Sequence, residues 1–143
     1  MKVDVKAGTL NIRTFGPDDG RPVVLLHPLA SSGELWAPVA GWLGEHGYRS
    51  LAPDLPVNVA PDGRALTIAD LAGDVACALD LLGVRGASVV GMSMGGCAAQ
   101  ALALARPDLV SALVLADTTC DYGPDRVSQW EERAVAAETK RRE

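Results

Sequence analysis

Apolar and polar positions alternate in character along this chain in a way that separates strands from helices. Val3–Ala7 and Leu10–Phe15 read as two short strands around a Gly8-Thr9 turn, and Gly16-Pro17-Asp18-Asp19-Gly20 is dense in turn residues. Pro22-Val23-Val24-Leu25-Leu26-His27 is apolar without alternation, the pattern of a strand buried on both faces of a parallel sheet. Residues 34–46 carry Trp36, Val39, Ala40 and Leu43 at helical spacing, with Gly47 placed to end the helix. Tyr48–Ala52 is the next strand, closed by Pro53-Asp54-Leu55-Pro56, and 56–66 reads as a loop. Thr67-Ile68-Ala69-Asp70 has the form of a capping box, and Ile68, Leu71, Val75, Leu79 and Leu82 follow on one helical face up to Gly83. Ala87–Val90 is a strand, Met94–Arg106 a helix stopped by Pro107, and Val110–Leu115 a further apolar strand. Helices alternating with apolar strands from 22 to 115 predict an α/β fold with a mostly parallel sheet flanked by helices. From 124 to 143 the chain turns highly charged, with a thin apolar stripe of Val127, Trp130, Ala134 and Ala137. Residues 1–121 are therefore expected to form the core, and 122–143 to begin a separate helical segment.

Composition narrows the classes of function. The chain has 143 residues, 48% hydrophobic and 22% charged, as a packed globular domain requires. Thirteen basic and eighteen acidic residues give a net charge of −5, which disfavours nucleic acid and anionic membrane surfaces as partners. No apolar run reaches the roughly 18 residues of a membrane span, and the N-terminal stretch lacks the apolar core of a signal peptide. Cys77, Cys97 and Cys120 are scattered and odd in number, which suits a reducing compartment and forms no metal-binding pattern. A cytoplasmic location is expected on these grounds.

The chemistry concentrates in Gly91-Met92-Ser93-Met94-Gly95. A bare G-x-S-x-G is a weak signal, but this one stands between a predicted strand and a predicted helix, the context a nucleophile elbow requires. Ser93 is the candidate nucleophile. Gly91 and Gly95 are read as positions where a side chain would crowd the turn. The N–H of Met94 is a candidate oxyanion donor, assisted by the following helix N-terminus. A dinucleotide-binding loop would need glycine at position 93 and an acidic residue about 20 positions on. The second donor is expected from the loop after the strand ending at His27. Pro28 has no N–H, so Leu29 N–H is the candidate. His27 reads as a brace for that loop. His46 reads as a helix-end residue on terminal carbonyls. Asp54 reads as a turn residue. Asp117, past the last strand, is a candidate acid, with turn capping alongside Thr118 and Thr119 as the preferred reading. Cys77 and Cys97 read as small core residues.

These residues resemble the N-terminal part of an α/β-hydrolase. The resemblance is carried by His27-Pro28-Leu29, Pro53-Asp54-Leu55, Asp70–Asp74, Gly91–Gly96 and Leu113–Thr118. Within that superfamily the chain is most similar to the 3-oxoadipate enol-lactonase group, whose pattern is partly shared by esterases, C–C hydrolases and cofactor-free haloperoxidases. The resemblance implies a serine hydrolase of a small ester or lactone, with no metal or organic cofactor. It assigns Ser93 as nucleophile and Met94 and Leu29 as oxyanion donors. His27 matches the first residue of the usual His-Gly pair, with Pro28 replacing glycine. The family's order is serine, acid, histidine, so His27 stands on the wrong side of Ser93 to be its base. The family's acid and histidine have no counterparts here, the sheet is expected to lack its last strands, and 122–143 corresponds to the start of a helical cap. Two other readings follow from that gap. One is a self-sufficient hydrolase using His27 or another base. The other is a catalytically silent module that self-associates or pairs with a complementing C-terminal chain through an open sheet edge.

Overall fold

The computed structural model describes all residues except 7, 57–62, 122, 127, 130, 133–134 and 137–143. Six strands form one sheet: β1 (Lys2–Val5), β2 (Gly8–Phe15), β3 (Arg21–Leu26), β4 (Tyr48–Pro53), β5 (Ala87–Met92) and β6 (Val110–Ala116). Their order across the sheet is β1-β2-β4-β3-β5-β6. β4, β3, β5 and β6 run parallel, while β1 and β2 join antiparallel at one side. The mostly parallel α/β sheet expected from the sequence is therefore present.

β3 lies at the centre because its residues suit burial on both faces. Val23, Val24, Leu25 and Leu26 are at most 3% exposed. Val24 and Leu26 join one core with Leu71, Val75 and Leu79 of helix α2 (Ile68–Leu81) and Ala98, Ala99 and Leu102 of helix α3 (Met94–Ala105). Val23 and Leu25 join a smaller core with Ala40 of helix α1 (Ala37–Glu45) on the other face. The chain leaves β3 toward β4 on one side and pairs with β5 on the other, so β3 is the switch point at whose carboxyl end such sheets place ligands.

The capping box at α2 is formed in both directions: Thr67 Oγ1 accepts from Asp70 N–H, and the Asp70 carboxylate accepts from Thr67 N–H. Hydrogen bonds from Arg64 and Thr67 hold the Asp70 carboxyl well below the usual carboxylate range. Glycine and alanine dominate the inner face of α3, with Gly95, Gly96, Ala98 and Ala99 all buried, which lets the helix approach the sheet closely.

Two local expectations shift. Gly8 and Thr9 belong to β2, where they pair with Val5 and Asp4, so the hairpin turns earlier. Thr9 Oγ1 donates to Asp4 Oδ1 at 2.8 Å and fixes that register. The helix expected over 34–46 divides into a 3-10 turn, Gly33–Trp36, and α1. Ser32 Oγ accepts from Glu34 N–H and starts the turn early, and Pro38 then sits in the first turn of α1. Val39 is consequently 47% exposed, and Trp36, Ala40 and Leu43 face inward instead. β6 is apolar as expected and is the edge strand, with Val114 at 52% exposure, in keeping with the open sheet edge expected from the resemblance. The apolar stripe of Val127, Trp130, Ala134 and Ala137 lies outside the described residues. No helix among the described residues is long and apolar enough to cross a membrane.

Candidate active site

The carboxyl ends of β3, β5 and β6 converge. Leu26 pairs with Gly91, and Met92 pairs with Ala116, so the three exits stand side by side. Each exit carries a non-glycine residue with positive φ: Ala30 at 57°, Ser93 at 51° and Asp117 at 46°. Left-handed backbone is costly for L residues, and such strain gathers where neighbouring structure enforces a particular geometry.

Ser93 lies between β5 and α3 with φ 51° and ψ −118°. Its two glycine neighbours make that turn sterically possible. A Cβ on Gly91 would sit 2.4 Å from the Gly95 carbonyl oxygen, and one on Gly95 would sit 2.2 Å from the Leu26 carbonyl oxygen. Both obstacles are main chain. The same contact shows that the first turn of α3 rests on the end of β3. The Ser93 backbone is tied to the exit of β6: its N–H donates to the Ala116 carbonyl at 3.1 Å, and its carbonyl accepts from Thr118 Oγ1 at 2.8 Å.

His27 is fully buried and both ring nitrogens are engaged. Leu55 N–H donates to Nε2 at 2.8 Å, so the proton is on Nδ1, which donates to the Pro28 carbonyl at 2.7 Å. That carbonyl belongs to the same planar peptide as Leu29 N–H. In a trans peptide the two point in opposite directions, so the imidazole that holds the carbonyl directs the amide away from itself. The Leu29 side chain is exposed. Among the described backbone bonds outside helices and strands, neither Leu29 N–H nor Met94 N–H is paired with an acceptor.

Asp54 supports the same loop from below. Its carboxylate accepts from Gly33 N–H at 2.8 Å, from Asn11 Nδ2 at 2.7 Å and from Arg13 Nη1. Burial pushes the Asp54 carboxyl up, but the hydrogen bonds from Arg13, Asn11 and Gly33 outweigh it and bring it down to about 2. Asp54 is thus more than a turn residue: it joins β2, β4 and the start of the 3-10 turn. Sequence reading missed this because its partners are 21 to 43 positions away.

The remaining candidates are distributed as follows. Asp117 is exposed at the end of β6, and among the described residues its carboxylate has no hydrogen-bond or ion-pair partner. The turn capping expected of Asp117 is carried by Thr119, whose Oγ1 accepts from Asp121 N–H at 3.2 Å. His46 Nδ1 bonds the Trp42 carbonyl at 2.8 Å, and the ring stacks on Trp42 at 3.9 Å, at the far end of α1. Cys77 and Cys97 are only half-buried, and Cys120 is exposed. No group of three or more His, Cys, Asp or Glu among the described residues is placed to hold a metal ion.

A central parallel sheet with a serine held at a glycine-flanked strand-to-helix turn is the arrangement of the α/β hydrolases. The chain belongs to that family: the family model described as alpha/beta hydrolase fold matches residues 21–141. It is 35% identical over 121 residues to lipase LipV of Mycobacterium tuberculosis, covering 84% of this chain and 46% of that protein. Its fold matches the crystal structure of a hydrolase from Pseudomonas aeruginosa PA01 with TM-score 0.83 and 31% identity, over 95% of this chain and 51% of the other. It also matches the enol-lactonase of Burkholderia xenovorans LB400 with TM-score 0.81 and 30% identity, over 97% of this chain and 54% of that one. The chain spans about half the length of the relatives it matches.

Proposed function

We propose that these residues form the nucleophile half of a serine hydrolase acting on a small ester or lactone. The observation that carries this reading is Ser93, held at positive φ between β5 and α3 with glycine contacts that leave no room for side chains beside it. In the reaction, Ser93 Oγ adds to the substrate carbonyl as its proton passes to a general base. The N–H groups of Met94 and Leu29 receive the oxyanion. Collapse expels the alkoxide, which takes the proton, and leaves an acyl-serine. Water, deprotonated by the same base, then adds to the acyl carbonyl; the bond to Oγ breaks, the acid is released, and the base returns its proton to Ser93.

The base is a histidine from outside these 143 residues. The sequence holds two histidines, and neither is available. His27 is committed to Leu55 N–H and the Pro28 carbonyl, and His46 is stacked on Trp42 away from the strand exits. A self-sufficient hydrolase using His27 is therefore disfavoured. A complementing segment carrying the histidine would pair along the exposed edge of β6. Among esters, the likeness to an enol-lactonase favours a small lactone.

Labelling with a fluorophosphonate probe, followed by peptide mass mapping, tests the reading. We expect slow, incomplete modification confined to Ser93 and abolished in Ser93→Ala, because loss of a triad member costs several orders of magnitude while the oxyanion site retains some rate. Rapid stoichiometric labelling would refute the external base, and modification elsewhere would refute the nucleophile.

A further inference from the structure

Two hydrogen-bond donors hold two peptide carbonyls at the strand exits, and they do parallel jobs. His27 Nδ1 holds the carbonyl of the Pro28–Leu29 peptide at 2.7 Å. Thr118 Oγ1 holds the carbonyl of the Ser93–Met94 peptide at 2.8 Å. In each case the amide at the other end of the same peptide is one of the two nominated oxyanion donors. We propose that Thr118 is a positioning residue of the oxyanion hole: its hydroxyl orients and polarises the peptide that presents Met94 N–H. This inference rests on the reading of Ser93 and Met94 given above.

The geometry goes beyond simple anchoring. The Ser93 carbonyl accepts three donors at once: Thr118 Oγ1 at 2.8 Å, Gly96 N–H at 2.9 Å and Cys97 N–H at 3.1 Å. The two amides are the first bonds of α3 and would form at any helix start. The hydroxyl comes from the exit of β6 and is specific to this site. Peptide resonance couples the ends of the unit, so each bond accepted by the oxygen withdraws electron density from the nitrogen and strengthens the N–H as a donor. The carbonyl is also fixed in direction by these three bonds, so the N–H opposite it in the same planar peptide cannot swing away.

Thr118 is itself held close. A Cβ on Gly96 would lie 2.6 Å from Thr118 Cβ, Cγ2 and Oγ1, so Gly96 is the position that admits this side chain. Gln100 Nε2 donates to the Thr119 carbonyl at 3.1 Å, and Cys97 Sγ lies 3.6 Å from both Thr118 Oγ1 and the Thr119 carbonyl oxygen. The β6 exit is thereby pinned to the first turns of α3. The motif that encodes the arrangement is the glycine after the elbow pair together with the threonine two residues past β6.

Thr118→Val removes the hydroxyl and keeps the shape; Thr118→Ser restores the hydroxyl. In the 143-residue chain we expect Thr118→Val to lower the initial fluorophosphonate labelling rate at Ser93 about tenfold, less than the loss of a whole oxyanion donor, and Thr118→Ser to stay within about twofold of wild type. In ¹H–¹⁵N spectra, the Met94 amide proton should move upfield in Thr118→Val and return in Thr118→Ser. A role confined to anchoring α3 would leave that resonance in place. Thr118→Ala substitutes for the valine variant if the latter does not fold. A wild-type labelling rate in Thr118→Val overturns the proposal, as does equal loss in the valine and serine variants. If wild-type Ser93 is not labelled at all, the nucleophile reading fails by itself. The Met94 resonance then still decides the clamp, and an unmoved resonance in Thr118→Val overturns it.

Discussion

Gly95→Ala tests whether the close approach of α3 to β3 is obligatory. The new methyl would lie 2.2 Å from the Leu26 carbonyl oxygen, 2.5 Å from its carbon and 2.6 Å from the His27 carbonyl oxygen. Normal contacts at such atoms are above 3 Å, so something must move. Nothing flexible is available, because all three atoms are main chain at the buried carboxyl end of the central strand. Overpacking of this kind costs about 1–3 kcal/mol, and a rigid obstacle places it near the top of that range. Gly73→Ala is the matched control. Gly73 lies inside α2 with nothing within 4 Å of the added methyl, so alanine gains about 0.8–1.0 kcal/mol of helix propensity there. The two variants should differ by about 3–4 kcal/mol. At about 2–4 °C per kcal/mol for a domain near this size, their thermal midpoints should separate by about 10 °C, Gly73→Ala above wild type and Gly95→Ala below. Circular dichroism melts, with urea titrations for the free energies, measure both. A Gly95→Ala protein melting with the wild type would show that α3 can lift off the sheet without cost, and the steric account of the elbow would be wrong.

Two further outcomes follow from the same geometry. Ser93→Gly should melt several degrees higher than wild type while losing all probe labelling, because glycine relieves about 1–2 kcal/mol of strain at φ 51° and Ser93 makes no capping bond to lose; a lower melting temperature would refute the strain. The Asp54 carboxyl titrates in the folded state at about 2 against an ordinary 3.8, so its contribution is fully present above about pH 4 and disappears as pH falls toward 2. Since its side chain is 30% exposed, that contribution is about 1–2 kcal/mol after screening. Urea midpoints of wild type and Asp54→Asn should therefore converge as pH drops from 5 to 2, and a constant gap would refute the assignment.

The sequence made local features readable. The Thr67–Asp70 capping box and the unbroken apolar run of β3 depend on neighbours within a few positions, and the placement of Ser93 between a strand and a helix follows from the elements on either side. Features built from distant partners were harder to read. Asp54 sits among prolines, and only the pairing of β2 with β4 brings Arg13 and Asn11 to it. Thr118 reads as a turn residue because its partner, the Ser93 carbonyl, is 25 positions away. Its one trace in sequence is Gly96, a second consecutive glycine where a helix would otherwise favour alanine. Pro38 was visible, but the Ser32 bond that starts the 3-10 turn ahead of it was not. The exposure of β6 could not be read from its residues either, since Leu113, Val114 and Leu115 are as apolar as those of β3 and only strand order makes them an edge.

Both nominated oxyanion donors, Leu29 N–H and Met94 N–H, are parts of the main chain. Side-chain replacement at either position leaves the amide in place, with proline the one exception. Leu29 is 52% exposed, so that side chain can diversify under selection for new substrates, whereas Met94 is partly buried against the main core. Charge handling is thereby insulated from mutational drift at the rim, and a library randomised at position 29 should yield altered preferences far more often than dead proteins.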